Sequence, residues 1–237
     1  MQKFCFFAIG VLFFLSCSRY ILPVKESKRK KILDQSGFIT DTDSILRTTN
    51  EELTAYQIRD GERVADIGFS TGWLEGLMVL KYDSLKIYGV ELSNEYLRNL
   101  KVVTEAYSGL RKIKGSSDVI GIKGKKGYTN LAGGFFDKVI VRETFHHFSD
   151  KNKMLKDVFR ILKPTGRLII HEPFTDSSFY SVQCKERIFS PIEVERVAKE
   201  NKFSLESKYI LFRQPGNVPS WHKTEIIKGI ILIFKKE

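Results

Sequence analysis

Short apolar runs alternate with longer segments of helical periodicity along most of the chain. The runs at residues 64–67, 85–90, 136–141 and 167–171 predict buried strands. The segments between them place apolar residues three and four positions apart, as in helices that cover a sheet. Because strands that alternate with helices form parallel sheets, the pattern predicts an α/β domain with a doubly wound, mostly parallel sheet.

The first of these strands ends in a turn rich in glycine and small hydroxyl residues. Gly68 and Gly72 permit a sharp bend and a close approach to a ligand, although a ligand-free turn between strand and helix would need the same glycines. Asp66 and Ser70 interrupt the Gly-x-Gly-x-x-Gly pattern of dinucleotide sites. The charge of Asp66 also disfavours a pyrophosphate here. The turn therefore favours a cofactor with a cationic amino-acid group over NAD.

Two further acidic residues predict contacts with a nucleoside. Glu91 follows the second strand and lies nineteen residues after Gly72, the separation at which an acidic side chain reaches a ribose diol. Asp118 lies further along and could accept a hydrogen bond from an adenine amino group. We therefore expect both residues in a cofactor site.

The segment after the fourth strand, Arg142-Glu-Thr-Phe-His-His-Phe148, carries two candidate proton acceptors. A neutral imidazole is a suitable base near pH 7, which makes His146 one candidate, and Glu143 is the other. The alternative for the histidine pair is a structural one, in which the rings pack and hydrogen-bond the loop. The sequence predicts no metal site.

The chain has 39 basic and 28 acidic residues and a formal net charge of +11. Since the lysines are dispersed, we interpret most of them as solvated surface, and a nucleic-acid partner is not expected. The glycine- and lysine-rich run at residues 121–127 is interpreted in the same way, as a solvated loop, with contact to an anionic partner as the alternative.

The first seventeen residues predict a signal peptide or a membrane anchor. Twelve apolar residues, 4–15, match the length of a signal-peptide core and fall short of the roughly 20 that span a bilayer. Ser16-Cys17 then resembles the lipobox of bacterial lipoproteins, in which the cysteine is lipidated, so we predict a membrane-associated lipoprotein. The alternative is an uncleaved anchor, with the basic cluster at residues 25–31 holding the domain in the cytoplasm. Residues 18–40 are predicted as a basic tether and residues 41–237 as the domain.

Five segments, in this order, resemble class I S-adenosylmethionine-dependent methyltransferases. They are residues 66–72, Glu91, residues 136–141, His146-His147-Phe148 and residues 162–168. The resemblance covers roughly residues 45–234. It implies a Rossmann-like sheet of seven strands, in which the apolar segments at residues 203–212 and 225–234 are the last two strands and the final one is antiparallel.

The resemblance also implies methyl transfer from S-adenosylmethionine to an acceptor that the sequence does not identify, which we expect to be a small molecule. Alignment of the two reactants supplies much of the acceleration in such a displacement. Phe69, Ser70 and Gly72 would lie near the methionine part, Glu91 at the ribose, and Leu92 and Asp118 around the adenine. The expected cofactor-binding residues are Asp66, Gly68, Phe69, Ser70, Gly72, Glu91, Leu92 and Asp118, and the expected catalytic residues are His146 and Glu143. The alternative is a membrane-tethered, non-catalytic module that binds S-adenosylmethionine or another nucleoside.

Overall fold

The computed structural model describes residues 24–111, 117–174, 177–182, 184–211 and 229–237. Its helices are α1 (Glu26–Gln35), α2 (Thr42–Ala55), α3 (Trp73–Lys81), α4 (Asn94–Gly109), α5 (Lys151–Ile161) and α6 (Pro191–Glu200). Its strands are β1 (Arg63–Ile67), β2 (Lys86–Glu91), β3 (Asp118–Lys123), β4 (Phe136–Arg142), β5 (Leu162–Glu172), β6 (Phe179–Ser181), β7 (Glu186–Ile188), β8 (Phe203–Leu211) and β9 (Gly229–Lys236). One turn of 3₁₀ helix spans Phe145–His147.

Seven strands form one sheet in the order β3-β2-β1-β4-β5-β9-β8. β1 to β5 are parallel to one another, whereas β9 is antiparallel to both of its neighbours. This confirms the predicted doubly wound sheet with an antiparallel C-terminal strand. The winding direction reverses between β1 and β4, and in such sheets ligands bind beyond the carboxyl ends of the strands at this point.

Both faces of the central strands are buried because helices cover them on each side. Side chains alternate along β4, so that Val139 and Val141 pack on one face and Ile140 on the other. Leu155 and Val158 of α5 cover the first face, and helices α3 and α4 cover the second. This two-sided burial explains why the sequence shows continuous apolar runs at these strands and not an apolar and polar alternation.

Side-chain caps mark the starts of helices α4 and α6. Ser93 precedes α4, and its hydroxyl accepts from the backbone N–H groups of Glu95 and Tyr96 at 3.2 and 3.4 Å. Ser190 and Glu193 form a reciprocal capping box at the start of α6. Because these side chains satisfy backbone donors that have no partner within the helix, they fix where each helix begins.

The described part of residues 18–40 differs from the predicted tether. Helix α1 lies there with Ile32 buried, and Leu33 packs against the same core. Phe38 makes an edge-to-face contact with Tyr107 of α4, with 5.0 Å between ring centroids. These apolar side chains attach the segment to the domain despite its basic composition, and residues 18–23 lie outside the described residues.

A short hairpin of β6 and β7, which the sequence pattern did not predict, lies between β5 and α6. Its turn includes Cys184 and lies near the 3₁₀ turn after β4. Within the described ranges, no helix combines the length and the hydropathy needed to cross a membrane. The predicted signal segment, residues 1–17, lies outside these ranges.

Candidate functional site

A cavity of about 720 Å³ opens beyond the carboxyl ends of β1 to β4. This volume is within the range of small-molecule sites, about 300–1,000 Å³. The loops that follow these four strands, the turn before α5 and the first residue of β7 form its wall. The lining residues are Ile67, Gly68, Ser70, Val90, Glu91, Leu92, Tyr96, Gly124, Lys125, Lys126, Gly127, Tyr128, Glu143, Thr144, His146, His147, Phe148, Ser149, Lys151, Met154 and Glu186.

Gly68 is required by the packing of two loops against each other. Its φ is 81°, and a β-carbon there would lie 2.3 Å from Cγ2 of Thr144. The Thr144 hydroxyl lies 3.2 Å from the Gly68 carbonyl oxygen and 2.9 Å from that of Arg142. Thr144 therefore joins the end of β1 to the end of β4, a role that the sequence did not reveal.

Three backbone N–H groups fix the carboxylate of Glu91 in the cavity wall. Its Oε1 accepts from the N–H groups of Leu92 and Ser93 at 2.5 and 3.0 Å, and its Oε2 accepts from that of Ser70 at 3.2 Å. These bonds hold the carboxylate against the glycine loop and the start of α4, where a negative charge is favoured. A ribose placed here meets a preoriented acceptor.

Two exposed side chains beside Glu91 offer an apolar surface to the cavity. Leu92 is 49% exposed and Tyr96 is 38% exposed, and both line the cavity. A flat aliphatic and aromatic surface of this kind suits a planar base. Together with Glu91, these residues fit the nucleoside part of S-adenosylmethionine.

The position of Asp118 disagrees with its predicted contact with adenine. Asp118 begins β3 and therefore lies at the end of the strand opposite the cavity. It pairs with Lys86 at the start of β2, whereas Glu91 pairs with Lys123 at the opposite end of the strand. Five residues of strand separate Asp118 from that end, roughly 16 Å at 3.3 Å per residue. The loop after β3 takes its place: residues 124–128 line the cavity, and Lys125 and Lys126 are exposed there, as predicted for solvated lysines.

Asp66, Phe69 and Gly72 do not line the cavity but lie behind it. Gly72, with a φ of 84°, is the residue from which α3 starts. Phe69 packs against β2 so closely that a β-carbon on Gly89 would lie 2.7 Å from its ring. Their direct contact with a cofactor stays a prediction.

Asp66 and Glu75 form a buried acidic pair below the glycine loop. Asp66 is 2% exposed and Glu75 is fully buried. Burial raises the pKa of Asp66 to about 7, although hydrogen bonding with Glu75 opposes the shift. Burial and the nearby Asp66 charge also raise the pKa of Glu75. The pair therefore holds a proton near neutral pH, which spares the core two adjacent buried charges.

The loop after β4 brings both predicted catalytic residues to the cavity. Glu143 has a φ of 50°, an unusual backbone conformation for glutamate, and its Oε1 lies 3.4 Å from Nη2 of Arg142. His146 is 8% exposed and lies in the 3₁₀ turn. Both line the cavity, so the sequence placed them at the correct end of the sheet.

Glu172, the last residue of β5, holds the 3₁₀ turn in place. Its Oε1 accepts from the N–H of Phe145 at 2.7 Å, and its Oε2 lies 2.6 Å from Nδ1 of His146. Partial burial opposes a charge on His146, but the hydrogen bond and charge of Glu172 outweigh it and raise the pKa of His146. Sequence analysis missed this residue, although its position at the end of a strand was a usable signal.

Cys184 lies on the other side of the same imidazole. Its Sγ is 3.7 Å from Nε2 of His146, and the two residues are 38 positions apart in the sequence. Hydrogen bonds from Ser181 and from the backbone at Glu186 outweigh the effect of burial and lower the pKa of Cys184. Only the folding of the β6–β7 hairpin creates this contact.

Comparison with known proteins relates a large part of the chain to a family. Residues 65–170 match the family described as a methyltransferase domain. The uncharacterized methyltransferase YdaC of Bacillus subtilis is 25% identical over 131 residues, which cover 53% of this chain and 67% of that protein. Phosphoethanolamine N-methyltransferase 1 of Arabidopsis thaliana is 27% identical over 154 residues, 63% of this chain and 30% of the plant protein.

A solved structure agrees with the fold. The structure of an S-adenosylmethionine-dependent methyltransferase from Aquifex aeolicus superposes with a TM-score of 0.61 and 17% identity, covering 90% of this chain and 98% of the other. The segment that matches the family runs from β1 to β5 and includes the glycine loop, Glu91 and the loop after β4. Residues 65–170 thus match a methyltransferase domain, and the chain has the fold of S-adenosylmethionine-dependent methyltransferases, which supports S-adenosylmethionine as its cofactor.

Proposed function

We propose that this protein transfers the methyl group of S-adenosylmethionine to a small-molecule acceptor bound in the same cavity. The observation that carries the proposal is the geometry of Glu91. Its carboxylate is fixed by three backbone N–H groups at the end of β2 and faces the space in front of the glycine loop. A preoriented acceptor of this kind recognises a ribose diol without further ordering of the side chain.

Bound S-adenosylmethionine supplies an electrophilic methyl group on its sulfonium. Glu91 would accept hydrogen bonds from the ribose hydroxyls, and Leu92 and Tyr96 would cover the adenine. Gly68 and Ser70 would adjoin the amino-acid part, since both line the cavity next to Glu91. The chain's contribution to this step is to hold both reactants in line, which by itself accounts for a large acceleration.

The loop after β4 supplies the acceptor side of the cavity. Thr144 ties this loop to the glycine loop, and Glu143 would then lie beside the end of the cofactor that carries the methyl group. A strained backbone such as that of Glu143 is retained where a side chain must point in a particular direction. In our proposal Glu143 receives the proton that the acceptor loses. The plant relatives are phosphoethanolamine N-methyltransferases by name, which makes amines the first acceptor class to test.

Calorimetry with the full-length protein tests the cofactor. S-adenosylmethionine and S-adenosylhomocysteine should bind and NAD should not. Glu91→Ala should weaken binding by about 1–3 kcal/mol, roughly 5- to 150-fold, because hydrogen bonds to a charged group are lost. Glu95→Ala is the matched control, since Glu95 is exposed in the first turn of α4 and does not line the cavity. Equal affinities of the wild type and Glu91→Ala would remove Glu91 from the site, and binding of NAD alone would refute the proposal.

The alternative function is cofactor binding without catalysis in a membrane-tethered module. One observation favours this alternative. Ser70 adds a side chain to the cavity wall at a position where the sequence pattern leads one to expect glycine. The relatives do not support it, since they are named as methyltransferases. Formation of S-adenosylhomocysteine in the presence of a panel of amines, alcohols and thiols separates the two functions.

A further inference from the structure

Three side chains with metal-binding atoms meet at the acceptor side of the cavity. One ring nitrogen each of His146 and His147 and the Sγ of Cys184 all lie within 4.8 Å of one another. Nε2 of His146 is 3.7 Å from that sulfur, and the two imidazole rings are 4.0 Å apart between centroids. Both histidines line the cavity, so the cluster is reached from it.

The orientation of His146 is the second observation that points to a metal ion. Glu172 is only 1% exposed, and it occupies Nδ1 of His146 at 2.6 Å. A neutral His146 that donates its Nδ1–H to Glu172 presents the lone pair of Nε2 to Cys184. Histidine ligands of metal ions commonly have such a carboxylate behind them, because it fixes the tautomer and makes the imidazole a better ligand.

We propose that His146, His147 and Cys184 bind a divalent ion of the zinc type, with a fourth coordination position directed into the cavity. Thiolate and imidazole together suit zinc, and three protein ligands with one open position are typical of catalytic zinc sites.

A simple hydrogen bond between thiol and imidazole would explain only part of this arrangement. It would account for the contact between His146 and Cys184, but it would not explain why His147 lies beside them. With an ion on Nε2, His146 would act as a ligand and not as the base that the sequence predicted, which agrees with the proton role proposed for Glu143. The metal site stands on geometry alone and does not depend on methyl transfer.

Cobalt(II) is the probe, because tetrahedral Co²⁺ with a thiolate ligand absorbs in the visible and shows a sulfur-to-metal charge-transfer band. The intact chain with Cys5→Ser and Cys17→Ser is stripped with a chelator and titrated. We expect one Co²⁺ per chain, both absorption features, and displacement by Zn²⁺. Adding Cys184→Ser should abolish the charge-transfer band, and His147→Ala should weaken binding at least tenfold.

Glu172→Gln should weaken Co²⁺ binding 10- to 100-fold, as expected for a residue behind a ligand. Circular dichroism checks that the Glu172→Gln variant is folded, because Glu172 also accepts a hydrogen bond from the N–H of Phe145. Cys184→Ser keeps the proposal falsifiable if Glu172→Gln does not fold. Absent Co²⁺ binding, or a spectrum unchanged by Cys184→Ser, would overturn the site. Calorimetry of S-adenosylmethionine on the same samples shows separately whether the cofactor site is intact.

Discussion

At the scale of single residues, Ser70 has a backbone conformation that glycine adopts far more readily than serine. Its φ is 54°, in the left-handed region, where a β-carbon costs roughly 1–2 kcal/mol. Its N–H nevertheless donates to Glu91, so the strained conformation is part of the arrangement that orients the carboxylate. The glycine loop therefore keeps its geometry at some expense of stability.

Ser70→Gly should raise the free energy of unfolding by about 0.5–1 kcal/mol, the relief of strain less the larger entropy of glycine in the unfolded chain. It should also strengthen binding of S-adenosylmethionine, since one side chain leaves the cavity wall. Ser84→Gly is the matched control. Ser84 also has a positive φ, of 56°, but it precedes β2 and so lies at the amino ends of the strands, away from the cavity. Urea unfolding and calorimetry measure both variants. Weaker cofactor binding by Ser70→Gly, or an equal gain in affinity in Ser84→Gly, would contradict this account.

At the scale of the elements, a partly buried polar network attaches α2 to the sheet. Glu52 of α2 accepts from Nε of Arg142 and from the Tyr56 hydroxyl, both at 2.7 Å. The same hydroxyl is 2.8 Å from Nδ1 of His171 on β5. Burial opposes the charge of Glu52, but the hydrogen bond with His171 and the charge of Arg142 lower its pKa below the ordinary range.

Glu52→Ala should destabilise the protein by about 1.5–3 kcal/mol, because it leaves the partly buried Arg142 without its 2.7 Å ion-pair partner. Since the folded-state pKa of Glu52 is depressed, its contribution is present above the ordinary glutamate range and is lost as the pH falls below it. Urea unfolding at pH 7 measures the effect. Glu105→Ala is the control, since its pair with Lys101 is exposed (63% and 66%) and should contribute at most about 0.5 kcal/mol. Similar losses in the two variants would show that the network does not hold α2.

At the scale of the whole molecule, the outstanding question is attachment to a membrane. We propose, from the sequence of residues 1–17, that the protein is a lipoprotein acylated at Cys17. An acyl chain and the basic residues 25–31 together would hold it on an anionic surface. This basic cluster lies mostly on α1, which packs on the domain, so the membrane would approach the α1 and α4 side of the protein.

Intact mass and fractionation of the native protein test this proposal. The expected result is a membrane-bound chain that begins at acylated Cys17, and a Cys17→Ser variant that loses the acyl mass and moves to the soluble fraction. A membrane-bound chain that still begins at Met1 would favour the alternative of an uncleaved anchor.

The sequence by itself determined the alternation of helices with β1, β2, β4 and β5, and the positions of Glu91, Glu143 and His146 at the end of the sheet. These features depend on local signals: apolar runs and fixed spacings along the chain. Such signals fix element types because each requires only neighbours a few residues apart.

Only the tertiary structure decided which side chains meet. Asp118 is the first residue of β3 and not the last, so it lies away from the site. The Thr144 contact with Gly68 and the line from Glu172 through His146 to Cys184 join residues 26 to 76 positions apart. Contacts of this kind depend on strand order, register and hairpin placement, which are set when the whole core packs and leave no periodic trace in the sequence.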